Sequence, residues 1–131
     1  MPFVCANPDL VVEVNGARLA CAGAIAQLYE AMGGPVFWAG KPHPSAYRMA
    51  LQAAGRLRHA EIIRDRVLAI GDAVRTDIAA AHGAGVDALL VTGGIHRDEI
   101  MTGDAIDAAR LTRLLDEADL PARAAIPRLC W

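Results

Sequence analysis

Two short stretches hold the side chains of this sequence best suited to chemistry. Gly40-Lys41-Pro42 follows the apolar run Val36-Phe37-Trp38-Ala39, and Gly71-Asp72-Ala73-Val74-Arg75-Thr76-Asp77 follows Val67-Leu68-Ala69-Ile70. Glycine frees the backbone before Lys41 and proline restricts it afterwards. An ammonium held in such a turn can neutralise charge developing on a phosphoryl group. Gly71 permits close backbone approach, and the turn from Asp72 to Asp77 can bring both carboxylates to one locus. One or two carboxylates, completed by water and phosphate oxygens, form a typical Mg²⁺ ligand set. Plainer roles compete: a solvated surface lysine, a strand end for Asp72 and a helix cap for Asp77. His43, in the loop of Lys41, is open to two readings, lining a substrate pocket or facing solvent at a helix entry.

Elements that position these loops are legible from apolar patterning. Phe3-Val4-Cys5-Ala6 is a short run stopped by Asn7-Pro8-Asp9, a turn signal. Asn15-Gly16 between Leu10–Val14 and Ala17–Cys21 signals a hairpin. Ile25, Leu28, Tyr29 and Met32 recur at helical spacing and predict an amphipathic helix ended by Gly33-Gly34. Ser45 is placed to cap a helix bearing Tyr47, Ala50, Leu51 and Ala54 on one face, with Gly55 as its end. A further helical turn is read at Ala60–Ile63. Thr76 or Asp77 opens a short helix stopping near Gly83–Gly85. Ala88-Leu89-Leu90-Val91 is a strand leading into Thr92-Gly93-Gly94, and Leu111, Leu114, Leu115 and Ala118 mark a last helix. Pro121–Trp131 reads as an extended tail. Continuous apolar strands alternating with helices predict an α/β fold with a mainly parallel, Rossmann-like sheet flanked by helices and an N-terminal β-hairpin. The 131 residues read as a single domain. In such a sheet ligands bind beyond the carboxyl ends of the strands, where all three loops fall.

Composition narrows the function classes. The chain is 54% hydrophobic but only 5% aromatic, so its core must rest on Ala, Val, Leu and Ile. A mean hydropathy of +0.27 implies either near-complete apolar burial or a face that meets a partner. The net charge of −2, with no basic run, favours neither nucleic acid nor an anionic membrane. The uncharged stretch Leu19–Tyr29 is too short to span a bilayer, and no signal-peptide pattern opens the sequence. Cys5, Cys21 and Cys130 lack metal or disulfide spacing and suggest a reducing, cytoplasmic setting. His82 and His96 lack partners at metal-ligand spacing and read as structural or surface residues. Neither a Gly-x4-Gly-Lys-Ser/Thr loop nor a Ser-centred nucleophile elbow occurs. A phosphoacceptor receiver-like domain is disfavoured, because the lysine precedes the acidic pair.

In combination, Ala6-Asn7-Pro8-Asp9, the Asn-Gly hairpin, Gly40-Lys41-Pro42-His43-Pro44, Gly71-Asp72-x4-Asp77-Ile78 and Val91-Thr92-Gly93-Gly94 resemble the haloacid dehalogenase-like (HAD) hydrolases. More narrowly, they resemble subfamily IIA, the sugar-phosphatase and 4-nitrophenylphosphatase-like branch. The resemblance implies a Rossmann-like core and Mg²⁺-dependent phosphoryl transfer from a small phosphorylated metabolite through an aspartyl-phosphate. It would make Lys41 the phosphate-stabilising lysine, Asp72 a direct magnesium ligand and Asp77 a support of the metal site, directly or through water. Asn7 and Asp9 would lie where the chain re-enters the core after a mobile cap, with Asn7 and His43 as candidate substrate contacts. The family's Asp-x-Asp nucleophile motif and its phosphate-binding Ser or Thr precede that cap and have no counterpart here. The resemblance therefore covers the C-terminal part of a full-length member, without the cap and the N-terminal core segment. Without the nucleophile the covalent route is lost, and the chain is expected to be inactive alone. A strand edge left open beside Asp72 would favour a homo-oligomer or a complementary chain.

Overall fold

The computed structural model describes residues 1–14 and 17–130. Strand β1 (Phe3–Cys5) leads into a hairpin of β2 (Val11–Val14) and β3 (Ala17–Ala20), then helix α1 (Ala22–Ala31), β4 (Val36–Trp38) and helix α2 (Ser45–Arg58). A 3-10 turn at Arg64–Arg66 precedes β5 (Leu68–Gly71), a π-helical turn (Val74–Ile78) that runs into α3 (Ala79–Ala84), and β6 (Asp87–Val91). The chain closes with α4 (Arg97–Ile100), a small hairpin of β7 (Met101–Thr102) and β8 (Ala105–Ile106), α5 (Ala108–Ala118) and β9 (Ala124–Ile126).

The expected parallel α/β architecture is present, but its parallel strands form two sheets rather than one. β1 pairs with β4 in parallel, Phe3 opposite Val36 and Cys5 opposite Trp38. β5, β6 and β9 form a second, wholly parallel sheet with β6 in the middle. β2 and β3 pair antiparallel as the hairpin signal predicts, with Val11 opposite Ala20; the Asn15-Gly16 turn itself lies outside the described residues. The core sits on the second sheet, where Val74, Ile78, Ala81, Ala84, Val86, Ala88, Leu90 and Ile100 pack together. Leu111, Leu114, Leu115 and Ala118 of α5 lie against this cluster, as their spacing predicts.

Several local expectations are revised. α1 buries Gly23 and Ala26, whereas Ile25, Leu28 and Met32 of the predicted apolar face are exposed. The reason is close approach: a Cβ on Gly23 would collide with the carbonyl of Pro8, so the helix lies directly on the Asn-Pro-Asp turn. Ser45 does not cap α2. Pro44 occupies that position, and the Ser45 hydroxyl lies 2.9 Å from the Trp38 carbonyl oxygen and 3.0 Å from that of Ala39, tying the helix to the end of β4. α2 runs through Gly55 and ends at left-handed His59, with Arg56 and Arg58 in its last turn, where cations complement the carbonyl end. No helix forms at Ala60–Ile63; the 3-10 turn follows it. The tail contributes β9, because the carbonyls of Ile126 and Pro127 accept the N–H groups of Thr92 and Gly93 at 2.9 Å.

Apolar surface also remains uncovered. Val4 and Phe37 on the first sheet, and Leu68 and Ile70 on β5, are each about half exposed or more. Near-complete apolar burial, the first of the two readings of the high hydropathy, is therefore not what the described residues show. No helix of the described residues is long and apolar enough to cross a membrane.

Leu90 is fully buried at the middle strand, so Leu90→Ala should lower unfolding free energy by about 2–5 kcal/mol. The Asp107 carboxylate caps α5 by accepting the N–H groups of Ala109 and Arg110, so Asp107→Ala should cost about 1 kcal/mol. Urea unfolding midpoints check both, and a larger loss in Asp107→Ala would refute this placement of the core.

Candidate functional site

The carboxylate of Asp77 organises the region where β4 and β5 end. Gly71, the last residue of β5, lies so close that a Cβ there would strike the Asp77 side chain. The chain then turns through Val74–Ile78 and directs Asp77 back over the strand end. Its Oδ2 accepts the N–H groups of Asp72 and Ala73, each at 3.1 Å. Its Oδ1 accepts a hydrogen bond from the Nζ of Lys41, which arrives from the loop after β4. Asp77 thus holds the start of its own turn, as a cap would, and also a cation from a distant segment. Its side chain is 11% exposed while that of Lys41 is 51% exposed, so the ammonium keeps a face to solvent. The hydrogen bond to Asp77, reinforced by that carboxylate's charge, raises the Lys41 pKa against a smaller opposing effect of burial.

Asp72 is anchored from the other side. Its Oδ2 accepts the N–H of Ile95 at 3.0 Å. This contact requires Gly94, since a Cβ there would overlap the Asp72 carboxylate. The three strand-end loops singled out in the sequence therefore converge: Lys41 meets Asp77, Asp77 holds the backbone of Asp72, and Asp72 is held by the loop after β6. A shallow cleft of about 340 Å³ beside them is lined by Gly71, Asp72, Gly93, Gly94 and Arg128.

The other candidates lie in different surroundings. Asn7 is exposed, and its Oδ1 accepts the N–H of Asp9 at 3.1 Å, closing its own turn. That turn packs on Gly40, where a Cβ would meet Pro8 and the Ala6 carbonyl, so it braces the backbone next to Lys41. The His43 ring stacks on Trp38, with centroids 5.2 Å apart. Among the described residues, neither side chain hydrogen-bonds to Lys41, Asp72 or Asp77, and no group of three or more His, Cys, Asp or Glu is arranged to hold a metal. The available acidic set is Asp72 and Asp77.

Sequence reasoning missed Tyr47 and the detailed part of His96. Tyr47 sits in the first turns of α2, and burial first, then the charge of Asp77, raises its phenol pKa, with Lys41 opposing. Helical spacing revealed its apolar side but not this electrostatic neighbourhood. His96 accepts the Val74 N–H at Nε2, 3.2 Å away, and its Nδ1 lies 3.0 Å from Oε2 of Glu99. The i, i+3 spacing of His96 and Glu99 was the available signal. The contact across 22 residues had none.

Residues 38–118 match the family model described as HAD-hydrolase-like. A dihydroxyacetone phosphatase of Corynebacterium glutamicum (strain R) is 34% identical over 97 residues, 73% of this chain and 33% of that protein. The ribonucleotide monophosphatase NagD of Escherichia coli (strain K12) is 33% identical over 93 residues, 71% of this chain and 34% of that protein. The chain spans about a third of the length of these curated relatives. A crystal structure of a haloacid dehalogenase-like hydrolase from Brucella suis 1330 superposes with a TM-score of 0.68 at 35% identity, covering 99% of this chain and 45% of that one. The p-nitrophenyl phosphatase of Archaeoglobus fulgidus shares the fold, with a TM-score of 0.67 at 22% identity over 96% of this chain and 43% of that one. The family match runs from the end of β4 through α5, and the chain belongs to the HAD-like hydrolases, in their subfamily IIA.

Proposed function

We propose that Lys41, Asp72 and Asp77 are the magnesium- and phosphate-holding side of a phosphomonoester hydrolase site for a small phosphorylated metabolite. The supporting observation is the convergence of a lysine and two carboxylates at the carboxyl ends of β4 and β5. Two relatives are named as phosphatases of dihydroxyacetone and ribonucleotide substrates, which agrees with this reading.

The residues suit Mg²⁺ rather than a softer ion, being oxygen donors with no His or Cys cluster among the described residues. Asp72 would hold the ion: its Oδ2 is fixed by the Ile95 N–H, and Oδ1 accepts no hydrogen bond among the described residues. Asp77 would support the metal site by holding the Asp72 backbone and orienting Lys41. Bound Mg²⁺ would neutralise charge on phosphoryl oxygens. The half-exposed Lys41 ammonium would contact the same phosphoryl group, its position fixed by Asp77 before any ligand arrives. Asn7 and His43 would act at one remove, through the turn that braces Gly40 and through stacking on Trp38.

No Asp-x-Asp pair occurs in the 131 residues. By itself the chain would bind metal and phosphate without turnover, because no nucleophile is present to accept the phosphoryl group. A second reading, a non-catalytic assembly module, is favoured by one observation. β5 is an edge strand whose Leu68 and Ile70 are half exposed, and such an edge is a template for a strand from another copy or a complementary chain. The three free cysteines suit a reducing cytoplasm.

Calorimetric titration should show a Mg²⁺ site that disappears in Asp72→Asn. In the presence of Mg²⁺, inorganic phosphate should bind about tenfold more weakly to Lys41→Met, the loss expected for one charge-assisted hydrogen bond. Hydrolysis of 4-nitrophenyl phosphate by the purified chain should not exceed that of Asp72→Asn. Turnover that needs both Mg²⁺ and Asp72 would overturn the claim of catalytic incompleteness. For the assembly reading, light scattering at micromolar concentration should report a dimer or larger species, and a clean monomer would refute it.

A further inference from the structure

The N–H groups of Asp72, Ala73 and Val74 follow one another at the start of the π-helical turn, where a helix leaves its first donors without internal acceptors. Asp77 takes the first two. The third belongs to Val74, which is buried, and its acceptor is the Nε2 of His96. An imidazole that accepts at Nε2 carries its proton at Nδ1, and that nitrogen faces Glu99 at 3.0 Å. Glu99 therefore selects the tautomer that can receive Val74. The loop bearing His96 makes a reciprocal contact, because the Ile95 N–H donates to Asp72. Each loop thus gives a backbone donor to a side chain of the other, Val74 to His96 and Ile95 to Asp72. The His96 side chain is only 14% exposed, so its contact with the Val74 N–H is largely shielded from water.

We propose that His96 is a positioning residue, oriented by Glu99, that locks the Asp72–Val74 loop and thereby aims the Asp72 carboxylate. Its role in metal binding rests on the function proposed above, whereas the clasp itself does not. His96 touches neither Lys41 nor the carboxylates of Asp72 and Asp77 among the described hydrogen bonds, so its action passes through the backbone. Gln and Asn separate its two nitrogens. A Gln amide oxygen reaches where Nε2 lies and can still accept from Val74, whereas Asn reaches only as far as Nδ1.

The test is amide hydrogen exchange of Val74 and Ile95 by NMR, with Mg²⁺ titration, in the full chain and in His96→Asn, His96→Gln and Glu99→Ala. In His96→Asn both amides should exchange about tenfold faster and Mg²⁺ affinity should fall about tenfold, as for loss of an outer support of a metal ligand. His96→Gln should restore both. Glu99→Ala, which leaves the ring in place should His96→Asn fail to fold, should accelerate Val74 exchange by about threefold. Unchanged exchange in His96→Asn and Glu99→Ala, or equal loosening in the Asn and Gln variants, would overturn the proposal. If the unaltered chain binds no Mg²⁺, the metal-site reading fails while the exchange measurements still decide the clasp. If it binds Mg²⁺ and His96→Asn binds it equally well, the positioning role fails alone.

Discussion

One carboxylate, that of Asp77, is the constraint on which the arrangement of the strand ends depends. It is largely buried, and a buried carboxylate is tolerable only when its charge and lone pairs are matched. Two backbone N–H groups and one ammonium supply that match. Lys41 comes from the loop following the first sheet and Asp77 from the turn following the second. Their contact therefore ties the carboxyl ends of strands that share no hydrogen bonds. Because one group satisfies both a local turn and a long-range pair, its removal would leave several partners unmatched together.

Glycines make that arrangement sterically possible. Gly71 and Gly94 stand where any side chain would enter the space of Asp77 and Asp72 respectively. Both acidic residues are pressed against glycine backbone; Asp77 is oriented by N–H groups of its own turn together with Lys41, and Asp72 by the Ile95 N–H of a neighbouring loop. Donors already aimed in this way need little reorganisation when a charged ligand arrives. The outer face of β5 is less finished. The same strand that presents Gly71 and Asp72 leaves Leu68 and Ile70 half exposed, so the site lies next to an open sheet edge.

Much of the fold was legible in the sequence because its signals are local. Apolar runs ending in Gly-Lys-Pro and Gly-Asp marked β4 and β5, and the spacing of Leu111, Leu114, Leu115 and Ala118 marked α5 and its buried face. β9 was not legible. Ala-Ala-Ile has weak strand preference, and it pairs only because β6 offers an edge and the carbonyls of Ile126 and Pro127 meet Thr92 and Gly93. The face of α1 was misjudged for a related reason. Close approach of Gly23 to the Pro8 turn decided which side is buried, and that outweighed the size of Ile25, Leu28 and Met32.

The sequence by itself determined which residue types were candidates for chemistry, and it placed Lys41 and Asp72 just after strands with Asp77 in the turn that follows. Residue type and glycine placement are local properties, so Lys41, Asp72 and Asp77 could be named before any geometry was known. Only the tertiary structure decided how they meet. Lys41 reaches Asp77 across 36 residues, Ile95 reaches Asp72 across 23, and Val74 reaches His96 across 22. Contacts of that separation depend on where the sheet carries each loop, and no spacing rule encodes it. His96 shows the difference most clearly: as a sequence position it has only Glu99 beside it, and in the fold it accepts a buried backbone donor within the loop of Asp72.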